Sequence, residues 1–255
     1  MESVRLTAEQ VYDRLVNVDG IKSVDGQIRF FLGDVDIIVK QRDVVGNIIQ
    51  EWLEGWLKKN NIAFDSNPNT QMPPDFFLNP DDHTVDLLEV KAFNYYASPC
   101  FDIADFKAYA REIITSPYML HSKYLIFGYS MDDKGVVTIK DIWLKNVWEI
   151  CRSMEGWPIN VQYKNKVINK IRPAKWFGNK SKFPIFKSLE HYLSAIEETL
   201  FGYHDTHALS VGWRKKVIQS YKQNYGITIN IPRWEELDEY YRPPIDKKRQ
   251  TKKKE

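Results

Sequence analysis

A cluster of charged residues at the end of a predicted hairpin constrains the fold of this chain more than any other feature. Asp75–Leu78 is a short apolar strand after a proline, and Val85–Lys91 is a second strand beyond a turn rich in Asn, Pro and Asp. Symmetric pairing about that turn places Asp75 beside Glu89. Side chains alternate along a strand, so Lys91 lies on the same face as Glu89. Two carboxylates and an ammonium group therefore converge at one end of the hairpin.

Such a cluster needs a partner, because burial of an unpaired ion costs on the order of several kcal/mol. Two carboxylates and a backbone carbonyl are hard oxygen ligands that suit a magnesium ion with several bound waters. A lysine beside the ion can orient or deprotonate a water, or neutralise charge on a phosphate. These groups together indicate phosphodiester hydrolysis. The alternative is an ordinary surface hairpin with a Glu–Lys pair across one face.

The spacing of these residues resembles the signature of the PD-(D/E)xK nucleases. Pro74-Asp75 is followed, after thirteen residues, by Glu89-Val90-Lys91, so both halves of that signature are present. The resemblance implies that Asp75 and Glu89 bind Mg²⁺, that Val90 contributes its backbone carbonyl, and that Lys91 assists the attacking water.

The segment before the signature, "DVVGNIIQEWLEGWLKKN" at 43–60, has the apolar periodicity of a helix with Asp43 as its N-cap. Members of this nuclease family often supply a further acidic ligand from that helix. Glu51, on the edge of the apolar stripe, is the candidate for this additional catalytic position. The alternative is that Glu51 is a boundary residue on a solvated helix edge.

The segment after the signature predicts a helix from Asp102 to about Thr115 and a buried strand at Lys123–Ser130. The resulting order of helix, strand, strand, helix and strand is the core succession of the nuclease fold. We therefore predict an α/β (α+β) fold, a restriction-endonuclease-like mixed β-sheet flanked by helices, with a basic β-hairpin as the recognition region.

The predicted organisation is one nuclease domain over residues 1–245, followed by a basic tail. Its parts are a catalytic core at about 43–150, a DNA-recognition region at about 156–189, C-terminal helices at about 189–225 and the tail at 246–255.

A narrower resemblance is carried by "DVVGNIIQEWLEGWL", "NTQMPPDFFLNPD", "LLEVKAFNYYASPCFDIADF" and "WPINVQYKNKVINKIRPAKWF". These segments are similar to type II restriction endonucleases of the NgoBV and NlaIV group, and the likeness extends through most of residues 8–225. It implies recognition of the palindrome GGNNCC and a cognate DNA methyltransferase in the same system.

The basic residues are unevenly distributed. No acidic residue occurs from Gly156 to Leu189, where there are eight basic residues, and the tail 246–255 adds six more. The rest of the chain has 22 basic and 32 acidic residues, a formal charge of about −10. A basic band on an acidic body indicates a polyanion site, here double-stranded DNA, because phosphate contacts release counterions.

Within the basic band, Ile159–Tyr163 and Val167–Ile171 predict a hairpin, and a two-stranded ribbon fits a DNA major groove. We call residues 159–171 the recognition hairpin. The alternative is a solvated, Lys-rich hairpin. The candidate DNA-binding residues in and beside it are Lys164, Asn165, Lys166, Asn169, Lys170, Arg172 and Lys175.

Three further elements are predicted outside these regions. Gln27–Leu32 and Val35–Lys40 form an N-terminal hairpin. Leu189–Leu200 and Ala208–Asn224 form helices, and Gly226 ends the second of them.

Three function classes fit these patterns. A type II restriction endonuclease needs the charged triad and the base-reading groups, a repair or resolvase nuclease needs the triad and backbone contacts only, and a non-cutting DNA-binding protein needs no triad. The chain has one Asp-Glu-Lys set and each set cuts one strand, so cutting both strands of a palindrome predicts a homodimer.

The sequence also predicts a cytoplasmic protein without membrane attachment. No apolar run has the length of a transmembrane helix, and the N-terminus is the polar start of a helix with no signal peptide. The two cysteines, Cys100 and Cys151, lack metal-binding spacing and suit a reducing compartment.

Overall fold

The computed structural model describes residues 3–69, 71–178 and 181–242. The chain divides into two compact units, Met1–Val147 and Trp148–Glu255. Lys180 and the basic tail at 246–255 lie outside the described residues.

The first unit contains a mixed sheet, as predicted, and this sheet has six strands. Its strand order is β1-β9-β8-β6-β5-β4, in which β6 and β8 run parallel and the other neighbours are antiparallel. In chain order, the strands of this unit are β1 (Asp25–Gln27), β2 (Arg29–Leu32), β3 (Val35–Ile38), β4 (Asp65–Ser66), β5 (Phe76–Phe77), β6 (Leu87–Asn94), β7 (Ala104–Asp105), β8 (Lys123–Met131) and β9 (Val136–Asn146).

Helices build the main core against one face of this sheet. Leu88 and Val90 of β6 pack with buried apolar residues of the first two helices, whereas Glu89 between them belongs to the opposite face. The helices are α1 (Ala8–Asp13), α2 (Val45–Lys59) and α3 (Phe106–Thr115), accompanied by a π-helical turn at Arg14–Val18 and 3₁₀ turns at Ile21–Ser23 and Pro117–His121.

Two of these helices begin later than predicted. Asp43 is not the N-cap of α2, because Val44 holds that position and makes no side-chain capping bond. The helix α3 begins at Phe106 and not near Asp102, since Asp105 accepts a hydrogen bond from the Ala108 backbone amide at 2.9 Å.

The predicted N-terminal hairpin is present as β2 and β3, which pair antiparallel around the two-residue turn Gly33-Asp34. We call Arg29–Ile38 the arm. It is a separate two-stranded sheet, and its apolar side chains are exposed.

The second unit combines the recognition hairpin with helices. Gly212, with φ of 70°, separates α5 from α6, so the predicted helix at Ala208–Asn224 is in fact two helices. Gly226 ends α6 as predicted. The elements are β10 (Val161–Lys164), β11 (Val167–Ile171), α4 (Leu189–Gly202), α5 (His207–Ser210), α6 (Trp213–Tyr225) and α7 (Trp234–Tyr241), after a 3₁₀ turn at Val147–Ile150.

Across the described ranges, no helix combines the length and apolar character that crossing a membrane would require.

Candidate active site

The pairing of β5 with β6 brings the predicted charged residues together. Phe76 pairs with Leu88, and the Asp75 amide donates a hydrogen bond to the Leu88 carbonyl at 3.0 Å. This register places Asp75 beside Glu89, as symmetric pairing about the turn predicts. The strands themselves are shifted relative to the prediction, because β5 covers only Phe76–Phe77 and β6 extends to Asn94.

Both carboxylate oxygens of Asp75 accept hydrogen bonds. Oδ2 accepts from the Val90 backbone amide at 2.7 Å, and Oδ1 accepts from Gln50 Nε2 of α2 at 2.9 Å. Burial raises the pKa of Asp75, and the opposing charge of Lys91 together with these hydrogen bonds limits the rise. The carboxylate is therefore fixed in orientation by one strand and one helix.

Asn67 holds the Pro-Asp segment from the other side. Its side-chain Nδ2 donates to the Pro74 carbonyl at 2.8 Å, and its backbone amide donates to the Asp75 carbonyl at 3.0 Å. The backbone leading into Asp75 is therefore fixed before any ligand binds.

Glu89 is a buried carboxylate with one oxygen paired and one free. Its Oε1 lies 2.6 Å from Lys91 Nζ, whereas its buried Oε2 has no hydrogen-bond partner among the described residues. Only 4% of Glu89 is exposed. Burial, reinforced by the charge of Asp75 and opposed by Lys91, raises the pKa of Glu89 to about 7.

Lys91 is held in its charged form. Burial acts to lower its pKa, but the neighbouring charges of Glu89 and Asp75 outweigh burial and raise the pKa above the usual range. The site therefore presents a permanent positive group beside two carboxylates.

These residues fit a divalent metal ion with hard oxygen ligands. A buried carboxylate oxygen without a partner is expensive unless a cation satisfies it. No group of three or more His, Cys, Asp and Glu residues suited to a metal is found in the described part of the chain. The protein would thus supply two carboxylates and leave other positions to water or phosphate oxygens, which suits magnesium.

The helix α2 contributes a different residue to the site from the one predicted. Glu51 is exposed, and the side chain that reaches Asp75 is its neighbour Gln50. Sequence reasoning missed both Gln50 and Asn67, since a carboxamide carries no charge that marks a catalytic position. The available signal was the position of Gln50 on the helix, three residues before Leu53 and seven before Leu57, both buried.

The recognition hairpin is present with a tighter turn than predicted. Lys164 pairs with Val167 and belongs to β10, so the turn consists only of Asn165 and Lys166, with φ of 53° and 63°. Both turn residues are left-handed, as in the type I′ turns that suit twisted hairpins. Lys164, Asn165 and Lys166 are exposed at the tip.

The remaining candidate DNA-binding residues are less accessible. Asn169, Lys170, Arg172 and Lys175 are half-buried. The Lys175 ammonium lies 5.2 Å from the centroid of the Phe177 ring. The tip of the recognition hairpin is therefore its most available polar surface.

The formal charges of the two units have opposite signs. Trp148–Glu255 contains 21 basic and 12 acidic residues, a charge of +9, whereas Met1–Val147 contains 15 basic and 22 acidic residues, a charge of −7. The groups suited to phosphate binding and those suited to metal binding are thus concentrated in different units.

Comparison with known proteins gives a consistent result. The profile of the NgoBV restriction endonuclease family matches residues 5–241. Type II restriction enzyme NlaIV of Neisseria lactamica is 59% identical over 240 residues, which cover 94% of this chain and 99% of the relative. Type II restriction enzyme NgoBV of Neisseria gonorrhoeae is 60% identical over 175 residues, which cover 69% of this chain and 98% of the relative. A solved structure of NlaIV restriction endonuclease superposes with a TM-score of 0.92 at 58% identity, and the match covers 94% of this chain and 98% of the other.

Proposed function

The chain belongs to the NgoBV restriction endonuclease family and is a type II restriction endonuclease, and from that premise we propose that Asp75, Glu89 and Lys91 are its catalytic residues. The observation that carries this proposal is the buried Glu89, whose Oε1 pairs with Lys91 while its Oε2 has no partner within residues 3–69, 71–178 and 181–242. A purely structural ion pair gains nothing from a free buried oxygen, whereas a metal site requires one.

Type II restriction endonucleases typically need a divalent metal ion, and we propose Mg²⁺ for this one. Asp75 and Glu89 would hold the ion with their carboxylates, and Val90 with its backbone carbonyl. When bound, the ion activates water and stabilises charge on the phosphate. The hydrogen bonds from Gln50 and the Val90 amide keep Asp75 oriented for that task.

The charges of Glu89 and Asp75 raise the pKa of Lys91, which supports the role of a cation beside the two carboxylates. A protonated ammonium group can orient the attacking water and offset the negative charge that develops on the phosphate. Glu89 must lose its proton to act as a ligand, and its pKa of about 7 places that step near neutral pH. Glu51 stays a prediction, because its exposed carboxylate would have to turn toward Asp75 to share an ion.

We propose that the recognition hairpin reads the DNA. Lys164 and Lys166 would bind phosphates, and Asn165 would meet base edges, since all three are exposed at the tip. Lys170, Lys175, Asn169 and Arg172 would support the same surface. On this proposal residues 1–245 act as one nuclease domain, with the catalytic groups in its first unit and the reading groups in its second.

We make three further proposals, which concern the target sequence, the oligomeric state and the protection of host DNA. The likeness to NlaIV and NgoBV supports GGNNCC as the target, and a palindrome is matched by a homodimer with one site per strand. A cytoplasmic enzyme that cuts such a site also needs a cognate methyltransferase that protects the host DNA.

The test is cleavage of a plasmid of known sequence with magnesium, followed by mapping of the cut ends. We expect double-strand breaks at one repeated palindrome. Asp75→Asn, Glu89→Gln and Lys91→Ala should each lower the rate by at least about 1,000-fold with unchanged circular dichroism. Glu54→Gln, on the surface of α2, is the matched control and should cut normally, and Glu51→Gln tests the remaining acidic candidate.

Other outcomes would replace this proposal. A ladder without sequence preference, or nicks confined to branched DNA, would identify a repair nuclease. Tight binding with no cleavage at any divalent ion would identify a DNA-binding protein. Normal cleavage by Glu89→Gln would move the active site elsewhere.

A further inference from the structure

The arm presents an apolar surface to solvent. Phe30 is 53% exposed, Leu32 71%, Val35 62% and Ile37 50%. In the observed register Phe30 pairs with Ile37 and Leu32 with Val35, so these four side chains share one face. That face, the apolar face of the arm, contains no polar side chain.

The opposite face of the arm satisfies its own polar groups. Arg29 forms an ion pair with Asp36, and its guanidinium carbon lies 5.5 Å from the centroid of the Phe31 ring. The base of the arm is anchored, because Ile38 packs closely against Gly135. A Cβ atom at position 135 would lie only 2.6 Å from Ile38 Cγ2, so no larger residue fits there without a shift. As far as the chain is described, the apolar face is thus the exposed part of the arm.

A two-stranded hairpin is marginally stable in water unless a further surface packs against it. An apolar groove of about 160 Å³ lies next to the arm, since Gln27 and Ile28 line it and lead directly into β2. The exposed Ile48 and Trp52 of α2 line the same groove. The arm therefore leaves from the edge of this groove, and both present apolar side chains to solvent within the first unit.

The charge of the arm disfavours DNA as the occupant of this area. Arg29–Ile38 contains Arg29, Asp34 and Asp36, a formal charge of −1, and Arg29 is already paired with Asp36. Phosphate binding requires free cations, and the arm has none to offer. A protein surface with the same apolar character fits better.

We propose that a second copy of this chain covers the arm, with the apolar face of each arm packed against the groove of the other. The four side chains expose on the order of 400 Å², about half of what each partner contributes to a standard interface. The groove adds a smaller area, so the two reciprocal contacts together bury about 1,000 Å², at the lower end for specific interfaces. Reciprocal contact of identical surfaces is the geometry of a two-fold dimer. The inference rests on the proposed homodimeric nuclease and locates its contact.

The first test is sedimentation velocity of the full-length protein, alone and with calcium and a duplex that contains the mapped site. We expect a dimer for the wild type and at least about 100-fold weaker dimerisation for the double variant Phe30→Asp and Leu32→Asp, because each buries a charge at the contact. Val18→Asp is the matched control, since Val18 is also 71% exposed in the first unit. It should remain dimeric.

The second test does not depend on disrupting the contact. Leu32→Cys in a Cys100→Ser background leaves Cys151, which is buried, as the other thiol. When this protein is mixed with an Ile48→Cys protein of the same background, a short bismaleimide should join residue 32 of one chain to residue 48 in the groove of the other. Val18→Cys in place of Leu32→Cys should stay uncoupled.

The outcomes separate this inference from the proposed function. A wild type that is dimeric but insensitive to the arm variants and uncoupled at residue 32 overturns the arm as the contact and leaves the nuclease intact. A wild type that is monomeric both free and on DNA overturns the dimer and the arm together. Cleavage that persists in Asp75→Asn overturns the catalytic assignment, whatever the oligomeric state.

Discussion

A neutral side chain fixes the orientation of Asp75, the first of the proposed catalytic carboxylates. Gln50 Nε2 donates to Asp75 Oδ1, and the Val90 amide donates to Oδ2, so this acidic group is held by donors that add no charge. Partners of this kind orient metal ligands, and their loss typically weakens metal binding or activity by about 10–100-fold.

We therefore predict that Gln50→Leu raises the magnesium concentration needed for half-maximal cleavage by about 10–100-fold, with a smaller effect on the rate at saturating metal. Titration of the cleavage rate with magnesium measures both quantities. Asn47→Leu, at an exposed position of the same helix, is the control. An unchanged metal requirement in Gln50→Leu would mean that Asp75 needs no orientation from α2.

The pKa of Glu89 predicts how metal affinity depends on pH. Protons and metal compete for this carboxylate, and its pKa of about 7 means that the protonated form dominates below neutrality. Magnesium affinity should rise by up to about tenfold per pH unit below 7 and level off above it. Calorimetric titration at pH 6, 7 and 8 measures this dependence. A Glu89→Gln protein should bind metal weakly and without that pH dependence.

The sequence predicted the neighbourhood of Asp75, Glu89 and Lys91 because two rules suffice for it. Alternation along a strand and symmetric pairing about a turn determine which side chains meet. The roles of Gln50 and Asn67 could not be predicted in the same way. Their contacts depend on where α2 and the loop before β5 pack in three dimensions.

At the scale of elements, the boundaries that differed from prediction depended on packing. The preference for Asp at an N-cap is worth about 1 kcal/mol, less than full burial of a side chain such as Val45. The helix α2 therefore begins where its apolar residues fit the sheet and not at Asp43. The succession of helix, strand, strand, helix and strand was predicted, since periodic segments define those elements. The order of the strands in the sheet and the strand β9 were not predicted.

Two substitutions in the turn of the recognition hairpin distinguish the effect of charge on DNA binding from the effect of backbone conformation. Asn165 and Lys166 both have positive φ, so glycine at either position relieves the same backbone strain. Lys166→Gly should lower the slope of log affinity against log salt concentration by about 1, since one phosphate contact is lost. Asn165→Gly should keep that slope and lose discrimination between sites. Fluorescence anisotropy with two duplexes at several salt concentrations distinguishes them, and equal slopes in all three proteins would place the phosphate contacts elsewhere.

At the scale of the whole molecule, the unequal distribution of charge creates an electrostatic conflict between the proposed DNA binding and the proposed catalysis. The second unit has a formal charge of +9, which favours DNA, whereas the first unit, at −7, carries the proposed catalytic carboxylates that the scissile phosphate would have to approach. A divalent ion held by Asp75 and Glu89 would resolve this opposition, because it would neutralise both carboxylates locally.

Divalent ions should therefore strengthen DNA binding, although monovalent salt weakens it. Calcium in place of magnesium should support binding with little cleavage. The double variant Asp75→Asn and Glu89→Gln should bind DNA without any divalent ion about as tightly as the wild type does with calcium, because both charges are gone. Electrophoretic mobility shifts with and without chelator measure this, and a double variant that still needs calcium would contradict it.

The residues that meet at the candidate active site come from a short stretch of the chain. Gln50 and Val90, the two donors to Asp75, lie 25 and 15 residues from it. Residues so close in sequence come into contact at a small cost in loop-closure entropy. Contacts of this kind form early in folding. During synthesis this stretch leaves the ribosome before the recognition hairpin. We therefore expect the proposed active site to form in the newly made chain before the recognition hairpin does.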